Sequence, residues 1–252
     1  MKENKRTILF LLLGSFFIAN AIIAEFIGVK IFSVEETLGI PPITLNLFGD
    51  VYSFNMTAGV LLWPLVFIMS DIINEYFGRS GVKLFSYIAA VLITYAFIVV
   101  YASIKTVPAA FWLTKETAEG TLNMQTAFGA VFGQGLWIIG GSLIAFLIGQ
   151  LVDVHIFHHI KKRTGEKALW LRATGSTLIS QLIDSFVVLV IAFYIGGKWP
   201  LKLVLAVGVV NYIYKFMVAV CLTPMLYLLH QLIDVWLGKE LAKQMIDDAH
   251  KQ

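Results

Sequence analysis

Residues 84–104 read LFSYIAAVLITYAFIVVYASI, and Lys83 and Lys105 close the stretch on either side. Twenty-one residues without a formal charge make about 31 Å of α-helix, which matches the ~30 Å hydrocarbon core of a bilayer. Working outward, comparable apolar runs occupy 7–28, 57–77, 127–153, 174–196 and 203–229. The whole chain agrees with them. Its 252 residues are 58% hydrophobic and 14% charged, with a mean hydropathy of +0.81. A soluble domain carries about 25% charged residues. The expectation is an all-α integral membrane protein with a six-transmembrane-helix bundle.

Three further features set its organisation. Ala19-Asn20-Ala21 imitates a signal-peptidase site, but the apolar run continues through Ile22, Ile23, Phe26 and Ile27, which marks an uncleaved first helix. Thirteen basic residues fall in the segments on the N-terminal side of the membrane and five on the other, with Lys215 inside a span. That bias puts the N- and C-termini in the cytoplasm. The expected division is a cytoplasmic N-terminus 1–6, one membrane domain 7–230, and a cytoplasmic C-terminal tail 231–252. The single cysteine, Cys221, excludes a disulfide framework.

Two outer connections are more than turns. Residues 43–54 alternate apolar and polar side chains around Gly49-Asp50, which suggests a short β-hairpin in the first outer loop. Residues 105–126, with Pro108, Phe111 and Trp112, suggest a helix lying on the interface.

Polar side chains within spans carry the functional signal. An Asp or Lys at the centre of a span costs about 2.5–3.5 kcal/mol and usually faces a bundle interior or a watery cavity. Asp71 and Glu75 are i and i+4 on one helix face, with Asn74 beside them. Gln181 and Asp184 are i and i+3, and Thr177 extends that face. Asn211 and Lys215 repeat the i, i+4 spacing in the last span. Gln134 and Trp137 offer an amide and a flat aromatic surface in the fourth. Apart from Thr177, these nine residues are the candidate substrate-binding residues. A structural Asp184–Lys215 ion pair, and a helix-end role in which Asp71 and Glu75 pair with Arg79 or Lys83, are the plainer alternatives. Glu25 is expected near the outer boundary, in reach of water. A four-residue echo, Gln-Leu-Val-Asp at 150–153 and Gln-Leu-Ile-Asp at 181–184 and 231–234, lacks a fixed period.

Other chemistry is missing. The cluster His155, His158 and His159 runs straight into Lys161, Lys162 and Arg163, so it reads as a solvated inner loop rather than a metal site. No phosphate-binding Gly-x-x-x-x-Gly-Lys-[Ser/Thr] motif is present, nor a nucleophile–base or metal constellation. The chain is not expected to be an enzyme, and no cofactor, metal or direct nucleic-acid contact is expected.

Several motifs then point to a family. Trp63-Pro64, Asp71-x-x-Asn74-Glu75-Tyr76 with Gly78, Leu169-Trp170-Leu171-Arg172, Ser176, Gln181-Leu182-Ile183-Asp184-Ser185, and Lys215 with Pro224 and Tyr227 resemble the queuosine precursor transporter family of the vitamin uptake transporter group. The likeness covers about residues 18–230 and departs at Trp63, where the family often has Phe. It implies import of 7-cyano-7-deazaguanine, 7-aminomethyl-7-deazaguanine or queuine across a bacterial inner membrane for tRNA queuosine salvage. The implied partner is a 7-deazaguanine small molecule in a lipid bilayer. Alternating access with proton coupling through Asp71 or Glu75 is the expected mechanism, while homo-oligomerisation and an energising partner stay open. The competing expectations are an importer of another planar nutrient such as a vitamin, a substrate-binding membrane subunit driven by a partner ATPase, and a membrane scaffold.

Overall fold

The computed structural model describes residues 2–118, 120–133, 135–164 and 169–250. Helix α1 (Lys2–Ile27) leads into a small cap made of β1 (Ile31–Ser33), α2 (Val34–Leu38), β2 (Thr44–Leu47), β3 (Asp50–Ser53), β4 (Asn55–Thr57) and a 3-10 turn, Ala58–Leu61. Helix α3 (Trp63–Ile104) follows, then a 3-10 turn, Ala110–Trp112, and the strands β5 (Thr114–Thr117) and β6 (Gly120–Asn123). The rest is α4 (Met124–Phe132), α5 (Leu136–Thr164), α6 (Leu169–Leu189) with a π-helical end Val190–Gly196, α7 (Leu201–Leu237) and α8 (Lys239–His250). Among the described residues, five helical segments are long and apolar enough to cross a membrane: α1, α3, α4 with α5, α6 with its π end, and α7. This is a multi-pass, predominantly helical membrane protein.

At 42 residues, α3 would run about 63 Å if straight, twice a hydrocarbon core. It doubles back instead. Gly78 has φ 71° and ψ −169°, a combination open almost only to glycine because a Cβ would clash with the backbone. The two limbs, 63–77 and 79–104, lie along α1 in opposite senses. Gly59, just ahead of the first limb, abuts the Ala24 carbonyl, and Phe77 at its far end packs 4.9 Å from Phe10. The second limb then returns, with Phe85 4.6 Å from Phe10 and Phe97 5.2 Å from Phe26. Gly14 permits this close approach, because a Cβ there would strike the Phe85 ring.

These contacts define two ends of the bundle. At one, the end of α1 meets the start and finish of α3, and the Gln125 amide donates to the Ile104 carbonyl at 2.8 Å. At the other, Gly78 lies with both described termini: Lys5 donates to the Trp236 carbonyl at 2.5 Å, and Arg6 reaches Asp248 at 4.0 Å. Helix α5 packs on α6 and α6 on α7, while α3 touches α1, α5, α7 and α8. The core between them is built from Phe17, Ile72, Ile73, Tyr76, Phe85, Phe146 and Phe157.

The expected hairpin is present as β2–β3, with Leu47 opposite Asp50. Its turn falls on Phe48-Gly49, one residue earlier than the alternation suggested, and both have positive φ (56° and 91°), as a tight two-residue turn requires. The strand β1 pairs with β4 around it, and Phe54, Met56 and Val60 pack onto Val210 of α7. The interfacial helix expected over 105–126 is not observed. That stretch forms a 3-10 turn and the antiparallel pair β5–β6, because Thr114, Thr117 and Thr121 favour extended backbone over helix. The C-terminal stretch read as a tail is largely helical: α7 continues to Leu237, and α8 buries Leu241, Ala242, Met245 and Ala249.

Candidate substrate site

A small cavity, with about 30 Å³ of free space, opens between α3, α6 and α7. Trp63, Pro64 and Phe67 from the first limb of α3 form an apolar wall, joined by Leu222 and Leu226 of α7. Polar groups enter from three helices: Asp71 from α3, Thr174, Thr177 and Gln181 from α6, and Lys215 and Thr223 from α7. The helical period explains this grouping. Phe67 and Asp71 are i and i+4, as are Thr177 and Gln181, so each pair projects from one face.

Three expected residues, Asp71, Gln181 and Lys215, therefore share one cavity. Asp71 is 4% exposed and accepts a hydrogen bond from the Thr177 hydroxyl at 3.3 Å. Its Oδ1 has no hydrogen-bond partner among the described atoms, and neither has Gln181 Oε1. Two bare acceptors thus sit in one cavity. Lys215 Nζ donates to Asp184 Oδ2 at 2.5 Å, so Asp184 belongs to the site through Lys215. The ion pair joins α6 to α7.

Asn74 and Glu75 turn away from this cavity. Asn74 Oδ1 lies 2.8 Å from His158 Nε2. Glu75 takes a two-pronged contact from Arg172 (Nη2 to Oε1 2.6 Å, Nε to Oε2 3.2 Å) and a third from Lys161 Nζ at 3.1 Å. All three side chains are at most 2% exposed. The plainer alternative pairs Glu75 with Arg79 or Lys83; the observed partners come instead from α5 and α6. Beyond Glu75 and Arg172 a second, wider cavity opens towards Tyr227, His230, Asp234 and Lys243.

The remaining expectations separate. Trp137 is 54% exposed and packs on Gly196, away from the cavity, as suits an aromatic at a bundle surface. Asn211, half-buried, is not among the residues lining either cavity. Gln134 lies outside the described residues. The histidine cluster is not a solvated loop throughout: His155 and His159 are exposed, but His158 is buried against Asn74. Glu25, expected near water, is 6% exposed and accepts a hydrogen bond from Ser142.

Asp153, Lys161 and Arg172 are absent from the candidates drawn from the sequence, where Lys161 reads as part of a solvated inner loop and Arg172 as part of a family motif. The four-residue echo carried a usable signal. Each of its Asp residues is held by a group from another helix: Asp153 by Ser180 (3.2 Å), Asp184 by Lys215, and Asp234 by the Tyr76 hydroxyl (2.6 Å).

Comparisons with known proteins point to transporters. The chain is 29% identical over 192 residues to a Bacillus subtilis protein named "Probable queuosine precursor transporter", covering 75% of this chain and 76% of that one. It is 23% identical over 180 residues to the Escherichia coli "Queuosine precursor transporter", covering 68% and 71%. No solved structure matches the chain. The family model described as "Putative vitamin uptake transporter" matches residues 57–229, a stretch that runs from the 3-10 turn before α3 through the cavity to Tyr227 and Leu229 of α7, and the chain belongs to that family of transporters rather than to any enzyme family.

Proposed function

We propose that this protein imports a queuosine precursor of the 7-deazaguanine type across a bacterial inner membrane, binding it in the cavity between α3, α6 and α7. The observation that carries the reading is the pairing of two bare buried acceptors, Asp71 Oδ1 and Gln181 Oε1, with a buried cation and an aromatic wall. A deazaguanine edge offers a ring N–H and an exocyclic NH2, which a carboxylate and an amide oxygen accept, while its carbonyl accepts from Lys215. Trp63 and Phe67 supply faces for stacking. Charge-assisted hydrogen bonds contribute about 1.5–3 kcal/mol each and stacking about 1–3 kcal/mol. Two such bonds and one stack sum to about 4–9 kcal/mol before ordering costs, against the ~8 kcal/mol of micromolar affinity.

The doubling back of α3 at Gly78 supports six crossings rather than five, with both termini on one side. Lys5, Arg6, Arg79 and Lys83 gather at the Gly78 end, which supports a cytoplasmic placement of that end. Alternating access then opens the cavity towards the cap on one side and towards the Glu75–Arg172 cavity on the other.

The test is complementation. In a bacterium unable to make the precursor, expression of this chain and feeding of 7-cyano- or 7-aminomethyl-7-deazaguanine restores queuosine in tRNA. Asp184→Asn abolishes uptake while the variant still reaches the membrane; undiminished uptake of labelled precursor by that variant overturns its role. The family description favours one second reading, a planar vitamin as cargo. Competition of uptake by unlabelled precursors, nucleobases and vitamins separates the two.

A further inference from the structure

We propose that Asp71 and Asp153 together form a proton-binding site that couples cargo movement to the proton gradient. This rests on the cavity being the substrate site, since Asp71 belongs to both. The two carboxylates come from α3 and α5 and are 4% and 0% exposed. One hydroxyl stands between them: Thr177 Oγ1 is 3.3 Å from Asp71 Oδ2 and 3.5 Å from Asp153 Oδ1. A hydroxyl has a single proton to donate, so it satisfies one carboxylate at a time. Ser180 is likewise shared, reaching Asp153 Oδ1 at 3.2 Å and the Thr177 carbonyl at 3.0 Å. By hydrogen-bond geometry Asp71 Oδ1 and Asp153 Oδ2 have no partner among the described atoms, and Ser176 adds a further hydroxyl beside Asp153.

The surrounding charges do not neutralise the pair. Arg172 of α6 and Glu75 of α3 are the other charged groups acting on Asp71, and Arg172 is already committed to Glu75 at 2.6 Å. Lys215 of α7 faces the same cavity but is bound to Asp184. Like charges sharing a low-dielectric site cannot both ionise. A proton on Asp153 removes one charge and turns a bare acceptor into a donor. Glu75, held by two cations, has no such need, so the carrier is this pair and not Glu75.

Gln181 is the independent sign that a donor-bearing ligand belongs here. It is 3% exposed, lines the same cavity, and leaves Oε1 bare. With a proton on Asp153 and cargo N–H groups on Asp71 and Gln181, the bare acceptors all gain partners. With either ligand alone, some stay bare. Cargo N–H groups need Asp71 ionised, which the pair allows only with the proton on Asp153, so each favours the other's binding, reciprocally, and they travel together.

The test uses the full chain in lipid. Infrared difference spectra recorded across a pH step show a protonated-carboxyl band in the wild type. The band is lost in Asp153→Asn and kept in Glu75→Gln; its persistence in Asp153→Asn overturns the proposal. In proteoliposomes an inward proton gradient drives accumulation of radiolabelled 7-cyano-7-deazaguanine. Asp153→Asn loses that accumulation while still exchanging labelled for unlabelled compound across the membrane. Accumulation indifferent to the proton gradient, or following sodium instead, also overturns it. If the wild type does not exchange 7-cyano-7-deazaguanine at all, the cargo assignment falls and the infrared band still decides the proton site.

Discussion

Glu75 shows how a residue's partners decide its task. Its carboxylate is closed off by Arg172 and Lys161, all three side chains being buried, whereas Asp71, one turn earlier on the same helix, lines the cavity and has one oxygen without a hydrogen-bond partner among the described atoms. Removing one partner of a buried ion pair strands the other charge, which costs about 3–5 kcal/mol. Lys161 would still face Glu75, so Arg172→Met destabilises the protein by up to that amount, read as a lowered thermal midpoint in detergent. The Asp184–Lys215 pair is less enclosed, its side chains 19% and 10% exposed, so Lys215→Met has the smaller effect on the midpoint and the larger one on uptake. A variant of Arg172 that melts with the wild type would show that the triad is not holding α3 to α5 and α6. Much of this was hidden in the sequence. Asp71, Gln181 and Lys215 stood out because a charge or amide in an apolar run has to face something. Lys161 and Arg172 did not, because a basic residue beside a helix end looks the same whether it meets water or a carboxylate from another helix.

At the scale of elements, Gly78 and the cap carry the argument. The spans were legible because a bilayer imposes a length on every apolar run, and the β2–β3 hairpin because alternation and Gly49 mark it. The β5–β6 pair was not legible: Phe111 and Trp112 gave the stretch an interfacial look, while the threonines that set its extended backbone left no apolar period. Gly78 lies in a backbone region where other residues bear about 1–3 kcal/mol of strain. Gly78→Ala is expected to lower the thermal midpoint accordingly and to weaken contact between the two limbs of α3, measured by cross-linking of cysteine pairs placed in 70–77 and 79–86. The cap makes a pH-dependent prediction. Burial alone would raise the Glu35 carboxyl, but hydrogen bonds from the Phe54 N–H (3.0 Å) and the Ser33 hydroxyl (3.2 Å) outweigh it and hold it below the ordinary range. A group depressed by folding stabilises fully above its unfolded value of about 4.3 and stops doing so as pH falls through its folded value. Hydrogen-exchange protection across 31–57, corrected for intrinsic rate, should thus fall in acid, and Glu35→Gln should lower it at neutral pH and remove the acid dependence.

The whole molecule is organised by its two ends. One carries the cap and the first turns of α3 and α7; the other carries both described termini, Gly78 and α8. The cavity lies between them, and the buried polar groups run the length of that interval, from Glu25 with Ser142 through Asp184–Lys215 and Asp71–Asp153 to Glu75 with Arg172 and Lys161. Such a column within an apolar bundle costs stability at every step, and a solid scaffold gains nothing from it, whereas a path for a polar cargo needs it. If the path is as inferred, both termini face the cytoplasm and the Phe48-Gly49 turn faces outward. In a variant whose native Cys221 is replaced, a single cysteine at Gly49 should react with a membrane-impermeant maleimide on intact cells, and one at Gln252 only after lysis. Labelling of both on intact cells, or of neither, would mean an even number of crossings between them, and α3 would then have to cross once rather than turn back at Gly78.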